Sequence, residues 1–232
     1  MDLTVMQVAL FFEDIIRKPE RKIKPLICNV FGEDYVDKAD KELLNVNLPI
    51  DFPTIQMVYT KKFRWNINIS QSRLDVFAEL PVQVNEDFQS ELIQESKATI
   101  KKVVHQIVSQ IVVNRVGVVG KFFEINETPT LSISQKLFDG KYNKSTELNF
   151  RVNNITEYDD HIINNIIQVG EATVSTFNKE TSETIPYRGV LLMRDINNSA
   201  AEGESLEEEK INKIIDFACG NFEREKIVEV WG

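Results

Sequence analysis

Between residues 55 and 80 apolar side chains recur at every second position: Ile55, Met57 and Tyr59, then Phe63, Trp65, Ile67 and Ile69, then Leu74, Val76, Ala78 and Leu80. Period two is the signature of a strand with one buried face. Lys61-Lys62 and Ser70-Gln71-Ser72 supply short polar connections, so three antiparallel strands are predicted. Arg64, Asn66, Asn68, Asp75 and Glu79 fall on the other parity and predict a wet second face. Residues 5–12 and 116–125 are apolar on both parities, which predicts strands covered on two sides. In the second of these, Gly117 and Gly120 remove bulk where another element passes closely.

The spacing changes elsewhere to that of a helix. Ile23, Leu26, Ile27, Val30 and Phe31 predict a short helix. Phe88, Leu92, Ile100, Val104, Ile107, Val108 and Ile111, following Asn85 as an N-cap, predict a long one packed on the sheet. Residues 131–138 predict a short helix stopped by Gly140, and Leu148, Phe150 and Val152 a strand. Ile162, Ile163, Ile166 and Ile167 satisfy both periods; the strand is expected from about Gln168 onward. A further buried strand covers 185–196. Residues 197–203 suit a surface loop. Ile211, Ile214, Ile215, Ala218 and Phe222 line the last helix, with Gly220 near its end.

The order strand, short helix, three strands, long helix therefore occurs twice. The expected class is α+β: two sheet-helix units with mainly antiparallel strands and long packing helices, and a candidate internal structural duplication. A boundary near Val113 divides the chain into 1–113 and 114–232, with one continuous domain as the alternative.

Composition narrows the functional classes. The 232 residues are 42% apolar, enough for a substantial core, and 36 acidic against 27 basic side chains leave a net charge of −9. That charge disfavours nucleic acid and anionic membranes as partners, although Arg17, Lys18, Arg21, Lys22 and Lys24 form a local basic run. No apolar window is long enough to span a bilayer. With only Cys28 and Cys219, neither a disulfide framework nor a four-thiolate zinc site is available. Without a leader pattern the expected location is the cytoplasm.

Recognisable chemistry is sparse. There is no Gly-x-Ser-x-Gly elbow. Gly117-Val118-Val119-Gly120 lacks a phosphate-loop lysine, and the calcium-like start at Asp195 fails at Ala200 and Leu206. Asp159, Asp160 and His161 are the candidate metal ligands, with a polar turn as the alternative. Arg115, Arg188 and Arg194 are candidate anion-binding residues in a pocket between sheet and helix. His105, within the long helix, is expected to be structural, and both cysteines are expected to be small buried hydrophobes. Glu202, Glu204, Glu207, Glu208 and Glu209 form an acidic candidate surface for a protein partner. Ser205 and Glu208 also match a capping box.

Two short segments carry a resemblance: 114–120 (Asn-Arg-Val-Gly-Val-Val-Gly) after the long helix, and 189–197 (Gly-Val-Leu-Leu-Met-Arg-Asp-Ile-Asn) before the last. They resemble landmarks of a sporadically distributed family of uncharacterised bacterial α+β proteins. The resemblance implies a dispensable accessory protein in a mobile-element or antiviral-defence setting, and it brings no catalytic residues. The leading expectation is a non-enzymatic, cofactor-free protein that binds a protein partner or forms a homo-oligomer. A small-ligand or nucleotide sensor and a metal-dependent hydrolase are the alternatives.

Overall fold

The computed structural model describes residues 1–37, 49–60, 62–80, 86–159, 161–178, 183–198 and 204–232, with backbone alone at 37, 86–89, 176–178 and 183–184. The first strand, β1 (Asp2–Phe12), leads into α1 (Pro19–Lys22) and α2 (Lys24–Phe31). Both helices carry a proline in the first turn, where the missing N–H removes no intrahelical bond. A two-residue β2 (Val36–Asp37) precedes the predicted meander of β3 (Ile55–Thr60), β4 (Arg64–Ile69) and β5 (Arg73–Glu79). The long helix α3 (Glu86–Val108) follows. The second half runs β6 (Val113–Ile125), α4 (Pro129–Phe138), β7 (Asn149–Tyr158), β8 (His161–Asn178), β9 (Glu183–Asn198), α5 (Glu208–Gly220) and α6 (Arg224–Trp231).

Among the described residues nine strands form one sheet, ordered β2-β3-β4-β5-β1-β6-β9-β8-β7, with every neighbouring pair antiparallel. The third strand of each meander returns beside the opening strand of its own half: β5 pairs with β1, and β9 with β6. At the centre β1 and β6 pair with each other, Val8 opposite Val118, and join the two halves into a continuous ladder. The α+β class thus stands in three dimensions, and before its meander the first half carries an additional helix and β2 beyond the elements of the second.

Residues directly opposite on neighbouring strands share a face. Met6, Val8 and Leu10 of β1, Val116, Val118 and Phe122 of β6, and Leu192 and Ile196 of β9 all point to the helical side and are buried. There α3 contacts β1, α5 contacts β6 and β9, and α3 and α5 touch. Gly120 lies in this row. A Cβ there would come within 2.9–3.0 Å of the Phe122 and Phe222 rings, so glycine is what lets the end of α5 close on the sheet. Over the first half, Phe31 of α2 stacks on Tyr59 at 4.8 Å and meets Trp65 edge-on at 5.2 Å.

Three local expectations are corrected. β8 starts at His161, seven residues before Gln168. Ile163 and Ile167 enter the core, whereas Ile162 is 59% exposed on the opposite face. Pairing with β7 on one side and β9 on the other resolves the ambiguous isoleucines as strand. Asn197 and Asn198, assigned to a loop, are buried at the end of β9, where Asn198 Oδ1 accepts the Val116 N–H at 2.8 Å. The capping box is not formed: α5 has Glu207 at its N-cap with no side-chain cap bond, and Leu206 bridges back to Val113. His105, expected to be structural, lies on the exposed side of α3 and links it to α5, its Nδ1 3.0 Å from Glu208 Oε2. The Asn85 cap lies outside the described residues.

Candidate protein-interaction site

The three candidate arginines are not brought together. Arg115 lies on β6 facing the open side of the sheet, whereas Arg188 and Arg194 project from β9 towards the helices. Six residues separate the latter two, roughly 20 Å along a strand. Arg194 is 6% exposed and lies beneath the end of α5. Its Nε donates to Asn165 Oδ1 at 3.0 Å, Nη1 to the Asn221 carbonyl at 2.8 Å and Nη2 to Asn221 Oδ1 at 2.6 Å. Burial lowers its pKa, and its hydrogen bonds tie the sheet to the end of a helix. Arg188 is exposed and its Nε donates to Glu171 Oε1 at 2.7 Å. The shared anion pocket is therefore corrected: each guanidinium is engaged at a separate place.

Arg115 belongs to a polar belt on the open face. Arg115 and Arg73 lie directly opposite Phe11 on its two sides, and their guanidinium carbons are 5.0 and 5.5 Å from its ring centre. The next row across the sheet reads Asp75, Ala9, Gly117, Asn197. Asp75 accepts from Arg73 Nε at 2.7 Å and Gln7 Nε2 at 2.9 Å, and Asn197 Oδ1 accepts from Arg115 Nη2 at 3.2 Å. Asp75 is 4% exposed, which corrects its assignment to a wet face. Burial raises its pKa against the opposing pull of Arg73 and Gln7.

Of the candidate metal ligands, Asp160 lies outside the described residues. Asp159 sits in the β7–β8 turn with φ 48°, and its carboxylate is held 2.8 Å from Lys213 Nζ on α5, which lowers its pKa. His161 is buried, and its Nε2 meets no hydrogen-bond partner among the described residues. Among the described residues no group of three or more His, Cys, Asp or Glu side chains is placed to hold a metal ion. Asp159 therefore acts as a turn residue pinned to a helix.

The acidic segment is only partly available for a partner. Glu202 lies outside the described residues, Glu208 is against His105, and Glu209 is 3.1 Å from Lys213; Glu204 and Glu207 are exposed. Cys219 is buried and its thiol is pushed up to about 12 by desolvation, as suits an inert core residue.

A different surface stands out at the end of the sheet. The ten-residue β7 pairs with β8 on one side and, among the described residues, with nothing on the other. Every residue from Asn153 to Glu157 is exposed. On the open face Ile155 is 70% exposed and lies diagonally beside Ile162. On the helical face Phe150 packs edge-on against Phe138 of α4 at 5.9 Å, and Tyr158 lies 4.6 Å from Phe217 of α5. The edge contains no proline or lysine, the residues that commonly blunt such edges. Beyond Gly170 of β8 and Gly189 of β9, pairing with β7 and β6 ends, and residues 172–178 pair only with 183–189 as a two-stranded ribbon. The β7 strand was foreseeable from Phe150 and Val152; its position at an open edge was not, because an internal strand carries the same alternation.

No protein-family model matches the chain, and no curated protein matches it. Among the described residues no helix is long and apolar enough to cross a membrane.

Proposed function

We propose that this chain is a non-enzymatic protein-interaction protein, an accessory subunit that engages its partner along β7 and the adjoining open face of β8. The observation that carries this is the edge itself: a ten-residue strand with a row of backbone donors and acceptors that is unpaired among the described residues, and a solvated isoleucine on it. An added strand would satisfy those backbone groups, and covering Ile155 would contribute about 1.5–3 kcal/mol of apolar burial. The internal engagement of Arg194, Arg188 and Asp159 supports the same assignment, because these side chains hold the fold together.

The test is affinity capture at near-physiological salt with wild type and Ile155→Asp side by side. Wild type is expected to retain a stoichiometric protein, its own chain included, and Ile155→Asp to lose it while melting at an unchanged temperature. A wild type that associates with no protein, or an Ile155→Asp variant that binds as well as wild type, sinks the proposal.

A further inference from the structure

Resting on β7 as the contact edge, we infer that its occupant is a second copy of this chain, paired antiparallel β7 to β7 about a two-fold axis perpendicular to the sheet. Such an axis brings residues of the same face opposite one another, so the register can change only in steps of two; a one-residue slip would set helical face against open face.

One register matches the chemistry of the strand. With Asn154 on the axis opposite its own copy, Arg151 faces Glu157 of the second copy and Glu157 faces its Arg151, both on the open side. On the helical side Phe150 falls opposite Tyr158, and Val152 opposite Thr156. Sliding by two residues in either direction puts Glu157 opposite Asn149 or Asn153 and breaks both the charge pairs and the aromatic pairs. Cross-strand pairs of these kinds favour the pairing, and the two-fold axis doubles every one. Arg151 and Glu157 are both exposed, and neither has an ion-pair partner within the described residues of its own chain. The ladder would extend the nine-stranded sheet into a second identical one and remove the open edge at this end.

Light scattering on the full chain after size exclusion, across about 1–100 µM, is expected to show a dimer. Arg151→Glu should raise its dissociation constant about tenfold by replacing two attractions with two repulsions, and adding Glu157→Arg should restore it. The register is read independently by cross-linking. In a Cys28→Ser, Cys219→Ala background, Asn154→Cys should link to its own copy under mild oxidation. Ile155→Cys should link only when mixed with Asn153→Cys, since residues further apart exceed disulfide reach. A monomer over the whole range overturns the inference, as does a dimer that ignores Arg151→Glu and fails to link through Asn154→Cys. If that monomer still retains an unlike protein through Ile155, self-pairing falls and the contact edge stands; if it retains nothing, both fall.

Discussion

The two halves of the sheet have the same strand order and opposite treatments of their outer edges. In the first half β3, β4 and β5 are six or seven residues long, β2 pairs alongside β3, and Phe31, Tyr59, Phe63 and Trp65 form an aromatic cluster under α2. In the second half they are ten to eighteen residues long, the outermost strand is largely exposed, and β8 and β9 run on as a ribbon. One topology thus carries an aromatic-packed core on one side and, among the described residues, an exposed outer strand on the other. Strand order fixes which strand lies outermost; whether its faces are covered depends on the segments packed against it, and over β7 these are α4 and α5, which meet it through Phe150 and Tyr158 near its two ends.

The contrast is sharpest in stability. Trp65→Ala should cost about 3–5 kcal/mol in urea unfolding, because the ring is 3% exposed and touches both Phe31 and Phe63. A loss below about 1 kcal/mol would mean that the first half is not the tightly packed one. Where the ribbon leaves the central strands, Gly189→Ala should cost about 1–3 kcal/mol. Its Cβ would fall 2.2 Å from the Glu124 carbonyl oxygen, a backbone atom that cannot swing away.

A smaller effect concerns Asp75. Burial raises its folded pKa above the ordinary 3.8, so the folded state holds this proton more tightly than the unfolded state does. Its contribution is fully present below the ordinary carboxylate value and is lost as pH rises through the raised folded value. Urea midpoints measured through this window should fall for wild type relative to Asp75→Asn; a rise would reverse the assigned direction. The least effect is expected at the open edge, where Ile155→Ala should change folding stability by less than about 0.5 kcal/mol. A comparable loss from Ile155→Ala and Trp65→Ala would erase the difference between the halves.

Much of the first half was legible because its strands obey a single period. Ile67 and Val76 alternate with asparagine, aspartate and phenylalanine in a way that suits no helix, and the structure pairs them as neighbours. The isoleucines at 162–167 were not, since β-branched residues in two adjacent pairs satisfy both periods, and only the ladders to β7 and β9 separate them. Asn197 and Asn198 resemble loop residues because their side chains compete with the backbone locally; here they take partners more than 80 residues away, Arg115 and Val116. The candidate sites fared similarly. Arg115, Arg188 and Arg194 carry suitable chemistry, yet strand alternation and length send them to two faces and two ends. Ile155, by contrast, looks like any strand isoleucine.

What the sequence alone determined is local: the period of each segment, the prolines and glycines that bound it, the class α+β and the repeated element order. Those follow from backbone geometry and the pairing of near neighbours. Only the tertiary structure decided that β1 meets β6, that Arg194 is sealed under α5 and that β7, among the described residues, has an open side. Each is a contact between residues far apart in the chain, and a residue's type states what it can bury or bond without stating what will arrive to cover it.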